Sequence, residues 1–165
     1  MSDSVPPYNR INTASVLQRE RYRKESVNMI SAKGRYALRV MVHLGEQNRA
    51  VPLTEIAERQ EISLTYLQVI TNLLLDAGFI TREGDGFRLT RLPEEYTAGE
   101  ILEKAEGTLS MVACLSPDAE PCKRAAECRT LPMWQRFNNV VHEFFYGITL
   151  KDLMQESCFV NNMLM

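Results

Sequence analysis

The sequence predicts a mainly α fold carrying one small β-hairpin, and three observations predict it. Three segments with apolar residues at helical spacing follow one another between Lys33 and Asp76. Two short alternating segments, Phe79-Ile80-Thr81-Arg82 and Phe87-Arg88-Leu89-Thr90, then flank the turn Glu83-Gly84-Asp85-Gly86. Beyond the hairpin the spacing turns helical again and ends in a long apolar helix reaching Tyr146. The chain has 165 residues, 45% of them apolar and 24% charged. That is the size of one compact domain, or of a small domain with an appendage.

Each element follows from its residues. Tyr36, Ala37, Val40, Met41 and Leu44 place an apolar face on a first helix that Gly45 ends. Pro52 opens a short second helix with Leu53, Ile56 and Ala57 inward. After a turn at Glu61-Ile62, Ser63 caps a third helix to Asp76, whose inward stripe is Leu64, Leu67, Ile70 or Thr71, and Leu74. Gly78 supplies its left-handed stop. Thr97 caps a helix over Ala98–Glu106, residues 107–131 read as a loop, Pro132 begins the long helix, and Thr149 caps a last short one. Helix–turn–helix followed directly by a hairpin is the winged-helix order. The third helix of such a fold enters the major groove of DNA, the first two brace it, and the wing touches the flanking backbone.

The chain divides into four parts: an N-terminal extension (1–28), a winged helix-turn-helix unit (29–92), a cysteine loop with dimerisation helices (93–157) and a tail (158–165). The extension holds Pro6-Pro7 and the charged run from Arg19 to Glu25, with little apolar periodicity, and reads as disordered. Lys24-Glu25 can be encoded as a ribosome-binding sequence three codons before Met29, which makes Met29 a candidate translation start. No apolar run approaches the roughly 18 residues of a membrane span, and the N-terminus lacks the apolar core of a secretory signal. The expected location is the cytoplasm, where thiols stay reduced and clustered cysteines bind metal or sense redox state.

The net charge is −2, which excludes a histone-like polycation but not a local docking face for nucleic acid. By segment it is +2 over residues 1–28, zero over 29–90 and −4 over 91–165. The acidity therefore belongs to the cysteine-bearing half. The neutral half predicts modest non-specific affinity and greater dependence on base contacts.

The residues expected to meet double-stranded DNA are Ser63, Thr65, Tyr66, Gln68 and Asn72 on the third helix, where Gln and Asn can pair with adenine and the hydroxyls can hold phosphates. Lys33, Arg35 and Arg39 on the first helix, Arg59 on the second, and Arg82 and Arg88 on the wing are the expected phosphate contacts. Taken singly, each is better explained as a solvated surface residue; on a winged-helix scaffold the set favours DNA. Tyr36 is expected to pack instead.

The long helix carries Met133, Trp134, Phe137, Val140, Val141, Phe144 and Phe145. That arc is wide for one side of a small domain, and a homodimer contact through Trp134, Phe137, Val141 and Phe144 would bury it. A two-fold protein also matches two DNA half-sites.

Three of the four cysteines lie close together, as Cys114-x7-Cys122-x5-Cys128. Zinc knuckles favour a close C-x2-C pair, which is missing here, whereas longer spacers suit thiolates spread around an iron–sulfur cluster. Lys123, Arg124 and Arg129 would offset its charge. For a fourth ligand Asp118, Glu127, His142, Cys158 and a partner-subunit side chain stay open, as does the choice between two-iron and four-iron clusters. Two histidines, no Gly-rich phosphate loop and no H-E-x-x-H leave little basis for an enzyme.

Several segments resemble one family in the right order. Met29-Ile30-Ser31-Ala32-Lys33-Gly34-Arg35-Tyr36-Ala37-Leu38 is similar to the opening of the Rrf-two family of bacterial regulators (IscR/NsrR/CymR-like). Pro52–Gln60 with Ile62–Leu67 resembles its helix–turn–helix, Pro93–Leu102 with Ala105-Glu106-Gly107 its post-wing helix, and Ile148–Leu153 its closing segment. The resemblance implies a dimeric winged-helix transcription factor, in several branches with an iron–sulfur cluster on three cysteines before the dimerisation helix, where Cys114, Cys122 and Cys128 lie. It implies a sensor of iron–sulfur, redox or nitrosative status. Two departures stand out. The wing is short and acidic at Glu83 and Asp85, and Gln68-Val69 stands where members often have Glu-Gln. Alternatives are a winged-helix protein-interaction module with little DNA binding, supported by the acidic wing, and a zinc or thiol-redox sensor.

Overall fold

The structure, a computed structural model, describes residues 30–155. The N-terminal extension, Met29 and Cys158 lie outside the described residues. Among the described residues, six α-helices and three strands follow in chain order: α1 (Ala32–Gly45), β1 (Val51–Pro52), α2 (Leu53–Gln60), α3 (Leu64–Asp76), β2 (Ile80–Glu83), β3 (Gly86–Leu89), α4 (Ala98–Glu106), α5 (Leu131–Tyr146) and α6 (Leu150–Met154). The result is a mainly helical winged-helix fold with a small antiparallel sheet.

The sheet has a strand that the sequence reading missed. Its order is β1-β3-β2, with Val51 opposite Phe87 and Pro52 opposite Gly86. Pro52, expected to open a helix, instead ends β1, and α2 starts at Leu53. Two residues are too few for alternation to show, so only pairing reveals such a strand. Gly86 makes the pairing possible: a Cβ there would lie 2.8 Å from the Val51 backbone nitrogen.

The helix–turn–helix closes on apolar contacts. Leu67, Ile70 and Leu74 of α3 are fully buried with Val40 and Met41 of α1 and Ile56 of α2. Thr71 is buried as well as Ile70, its hydroxyl donating to the Gln68 carbonyl at 3.2 Å. Leu64, expected inward, is 48% exposed, because the buried stripe of α3 begins a turn later at Leu67. The turn between α2 and α3 holds Glu61 in a left-handed conformation at φ 53°. The end of α3 is a paired stop: Gly78, at φ +70°, donates to the Leu75 carbonyl and Phe79 to that of Leu74.

Tyr96 ties the wing to the second half. Its ring is fully buried edge-on to Phe79, and its hydroxyl donates to the Phe79 carbonyl at 2.8 Å while accepting from the Arg91 amide at 2.7 Å and the Thr90 amide at 3.0 Å. Beyond it, α4 and α6 begin side by side. Thr97 and Thr149 form an isolated bridge, and each caps its helix reciprocally, with Glu100 and Asp152 respectively. The Thr149 hydroxyl holds the Asp152 carboxyl below its ordinary range. Ile101 and Ala105 of α4 and Leu150 of α6 join the same core as α1, so the core spans the junction at residue 92.

Candidate nucleic-acid interface and cysteine loop

Helix α3 presents two unlike faces. Leu67, Ile70, Thr71 and Leu74 look inward, while Ser63, Thr65, Gln68, Val69 and Asn72 are exposed. Ser63 caps the helix, its Oγ accepting from the Tyr66 amide at 3.4 Å. Tyr66 is half-buried and meets Tyr36 of α1 edge-on at 5.8 Å between ring centres. Tyr36 therefore braces α3, in keeping with the packing role expected of it.

The basic residues differ in how free they are. Arg35 and Arg59 are exposed and Lys33 is half-buried. Arg39 is also exposed, but it staples α1 to the end of α2. Its Nε donates to Gln60 Oε1 at 3.1 Å, its Nη2 donates to the Gln60 carbonyl, and its guanidinium lies 5.4 Å from the Tyr36 ring centre. On the wing, Arg82 lies over the Phe87 ring at 5.0 Å and Arg88 pairs with Glu83 at 2.8 Å. That exposed pair spends the Arg88 charge inside the wing. Beside α2, Arg49 pairs with Glu55 at 2.5 Å and holds its carboxyl below the usual range.

The cysteine loop is open. No residue from 110 to 130 is buried. Two single 3-10 turns, Ala113–Leu115 and Ala125–Glu127, are its only helical pieces. Cys114 and Cys122 are exposed and Cys128 is half-buried, all three as free thiols. A contact to the Thr130 hydroxyl at 3.5 Å lowers the Cys128 thiol pKa, with a smaller contribution from the Arg124 charge. Among the described residues no three His, Cys, Asp or Glu side chains are gathered closely enough to hold a metal ion. The donor set still suits an iron–sulfur cluster in kind: three free thiols, with Arg124 near Cys128 to offset negative charge. Asp118, Glu127 and His142 are all exposed; the His142 ring stacks on Tyr146 at 4.1 Å.

Two anchors of this half lay outside the sequence reading. The Met111 amide donates to Asn138 Oδ1 at 3.2 Å, tying the loop to α5. Asn138, a polar residue within an apolar arc, was the signal. Tyr146 donates from its hydroxyl to Glu103 Oε2 and its ring packs tightly on Gly99, so a Cβ at Gly99 would lie 2.2 Å from the ring edge. Burial, with the Glu103 carboxylate second, pushes the Tyr146 hydroxyl up to about 12.

The apolar arc of α5 splits into two stripes. Trp134, Asn138, Val141 and Phe145 are covered to different degrees, Val141 alone among them being buried. Met133, Phe137, Val140 and Phe144 are bare, at 53%, 44%, 60% and 51% exposure. Of the four residues expected at a dimer contact, Phe137 and Phe144 lie on the bare stripe, Trp134 is half-buried, and Val141 is already covered.

This order of reading helix, short wing and cysteine loop has known counterparts. Residues 30–156 match the family model described as "Rrf2: Iron-dependent Transcriptional regulator". The chain belongs to the Rrf2 family. Its relatives are transcriptional regulators rather than enzymes, and Rrf2 winged-helix regulators bind DNA. The "HTH-type transcriptional regulator IscR" of Aliivibrio salmonicida is 32% identical over 133 residues, covering 78% of each chain. Among solved structures, CymR, described as the global cysteine regulator of B. subtilis, is 33% identical with a TM-score of 0.60, covering 75% of this chain and 94% of its own. IscR of T. potens is 25% identical with a TM-score of 0.59, covering 82% of this chain and 91% of its own. Among the described residues of this Rrf2 chain, no helix is long and apolar enough to cross a membrane.

Proposed function

We propose that this Rrf2 regulator is a cytoplasmic homodimer that reads double-stranded DNA through α3 and senses iron–sulfur or redox status through Cys114, Cys122 and Cys128. The division of labour follows the sequence: residues 29–92 read DNA, and residues 93–157 sense and dimerise. The observation that carries the reading is the position of the thiol loop. It is tied through Met111 and Asn138 to α5, the helix whose Met133–Phe137–Val140–Phe144 stripe is left exposed among the described residues.

A bound iron–sulfur cluster would hold the three thiolates together and supply a centre that oxidants or small molecules can alter. The chain's own residues relay the change. Loop packing moves α5 through Asn138, and α5 meets α4 at Tyr146 and Gly99. Because α4 shares the core of α1 and α3, the separation of two recognition helices in a dimer follows. A second reading, thiol oxidation without a metal, is favoured by the exposure of Cys114 and Cys122. A solved neighbour at 31% identity and TM-score 0.58 is an oxidised form of CymR from Staphylococcus aureus.

Anaerobic reconstitution with iron and sulfide tests both. Visible absorbance that needs all three cysteines, together with altered DNA retardation, is the expected result. Colourless protein with intact thiols, in which peroxide alone changes DNA binding, moves the assignment to thiol oxidation.

A further inference from the structure

The polar face of α3 has an apolar residue in its middle. Val69 is 51% exposed, although the buried stripe of Leu67, Ile70 and Leu74 shows that α3 can bury its apolar side chains. Its neighbours along the exposed row are Thr65, one turn before, and Asn72, one turn after, with Gln68 alongside; all three are exposed. A valine placed there gains nothing from water and makes no contact in the chain's core. Within the major groove one base group is apolar, the C5-methyl of thymine. Valine suits it, because its branched side chain is stiff at χ1 and presents its methyls with little loss of freedom.

We propose that Val69 is a specificity-determining residue that packs against a thymine methyl in each DNA half-site, beside an adenine bonded by Gln68. The inference rests on α3 being the reading helix, and it names the base chemistry which that helix selects. An A·T-containing step at the centre of the half-site follows. Leu64, 48% exposed at the first position of α3, is the rival apolar contact.

The test uses the full chain. Duplexes enriched from a random pool define the bound sequence, and each thymine is then replaced by uracil, which keeps the hydrogen-bonding groups and removes the methyl. One thymine per half-site is expected to lose about fourfold in affinity on conversion to uracil, the scale of one buried methyl group. Val69→Ala, an exposed change that favours helix, is expected to weaken binding to the thymine duplex and to abolish discrimination at that base alone. Circular dichroism confirms that the variant is folded. Full thymine–uracil discrimination retained in Val69→Ala overturns the inference, as does its loss in Leu64→Ala instead. A pool from which nothing is enriched sinks the DNA-reading role itself, a distinct result.

Discussion

The reading half and the sensing half of this chain differ in how completely one copy satisfies them. In the first, α3 buries Leu67, Ile70 and Leu74 fully, and both of its ends are capped by the chain's own groups. In the second, α5 is the longest of the described helices at 16 residues, yet Val141 is its one buried residue. The loop before it buries nothing between residues 110 and 130. A closed core needs no partner. A bare apolar stripe beside free thiols leaves apolar area in water, and contiguous patches of that kind mark interaction surfaces.

Adding charge to the bare stripe breaks the contrast most strongly. Phe137→Glu with Phe144→Glu is expected to give a monomer by light scattering and to weaken binding to a two-half-site duplex about 100-fold or more, because the second half-site no longer adds to the first. The circular dichroism of the reading half should be unchanged. A stable dimer in the double variant would show that the stripe is covered by something other than a second copy.

Tyr96→Phe attacks the tie between the halves instead. It strips a partner from the Phe79 carbonyl and from two amides at a fully buried site. A loss of about 2–3 kcal/mol in urea unfolding is expected. Native stability in this variant would mean that water replaces the hydroxyl.

Gly99→Ala probes the α4–α5 contact. The added methyl collides with the Tyr146 ring, so a loss of about 1–3 kcal/mol is expected. In a Tyr146→Ala background the same change should cost little, a coupling that a double-mutant cycle measures. Additive losses would place the strain elsewhere. Tyr146 also carries a pH signature with a definite sign. Its folded pKa is raised from 10.0 to about 12, so the folded state keeps a proton that the unfolded state releases. Stability falls as pH rises through that interval, and Tyr146→Phe should remove the decline.

The smallest effect belongs to the wing. Glu83→Gln frees Arg88 from its ion pair. DNA affinity should rise a few-fold, with the salt slope steeper by about one. No change in slope would mean that Arg88 does not meet a phosphate, and would favour a wing that meets another protein.

Much of the fold was legible because its signals are local. Ser63, Thr97 and Thr149 cap where capping chemistry placed them, Gly78 stops α3, and the hairpin turns at Gly84. Leu67, Ile70 and Leu74 marked a buried face by spacing alone. Of the candidate site residues, the exposed set on α3 and the free thiols could be named from type and position.

What the sequence by itself determined is therefore the order of the helices and the wing hairpin, the family and the residue types on offer at each surface, since caps, turns and periodicity act within a few residues. The tertiary structure decided what each side chain does. Arg39 is committed to Gln60, Arg88 to Glu83, and Val51–Pro52 to the wing as a third strand. The apolar arc of α5 divides into a covered stripe and a bare one only when α4 is packed against it. These outcomes depend on distances between residues far apart in the chain, which neither spacing nor composition encodes.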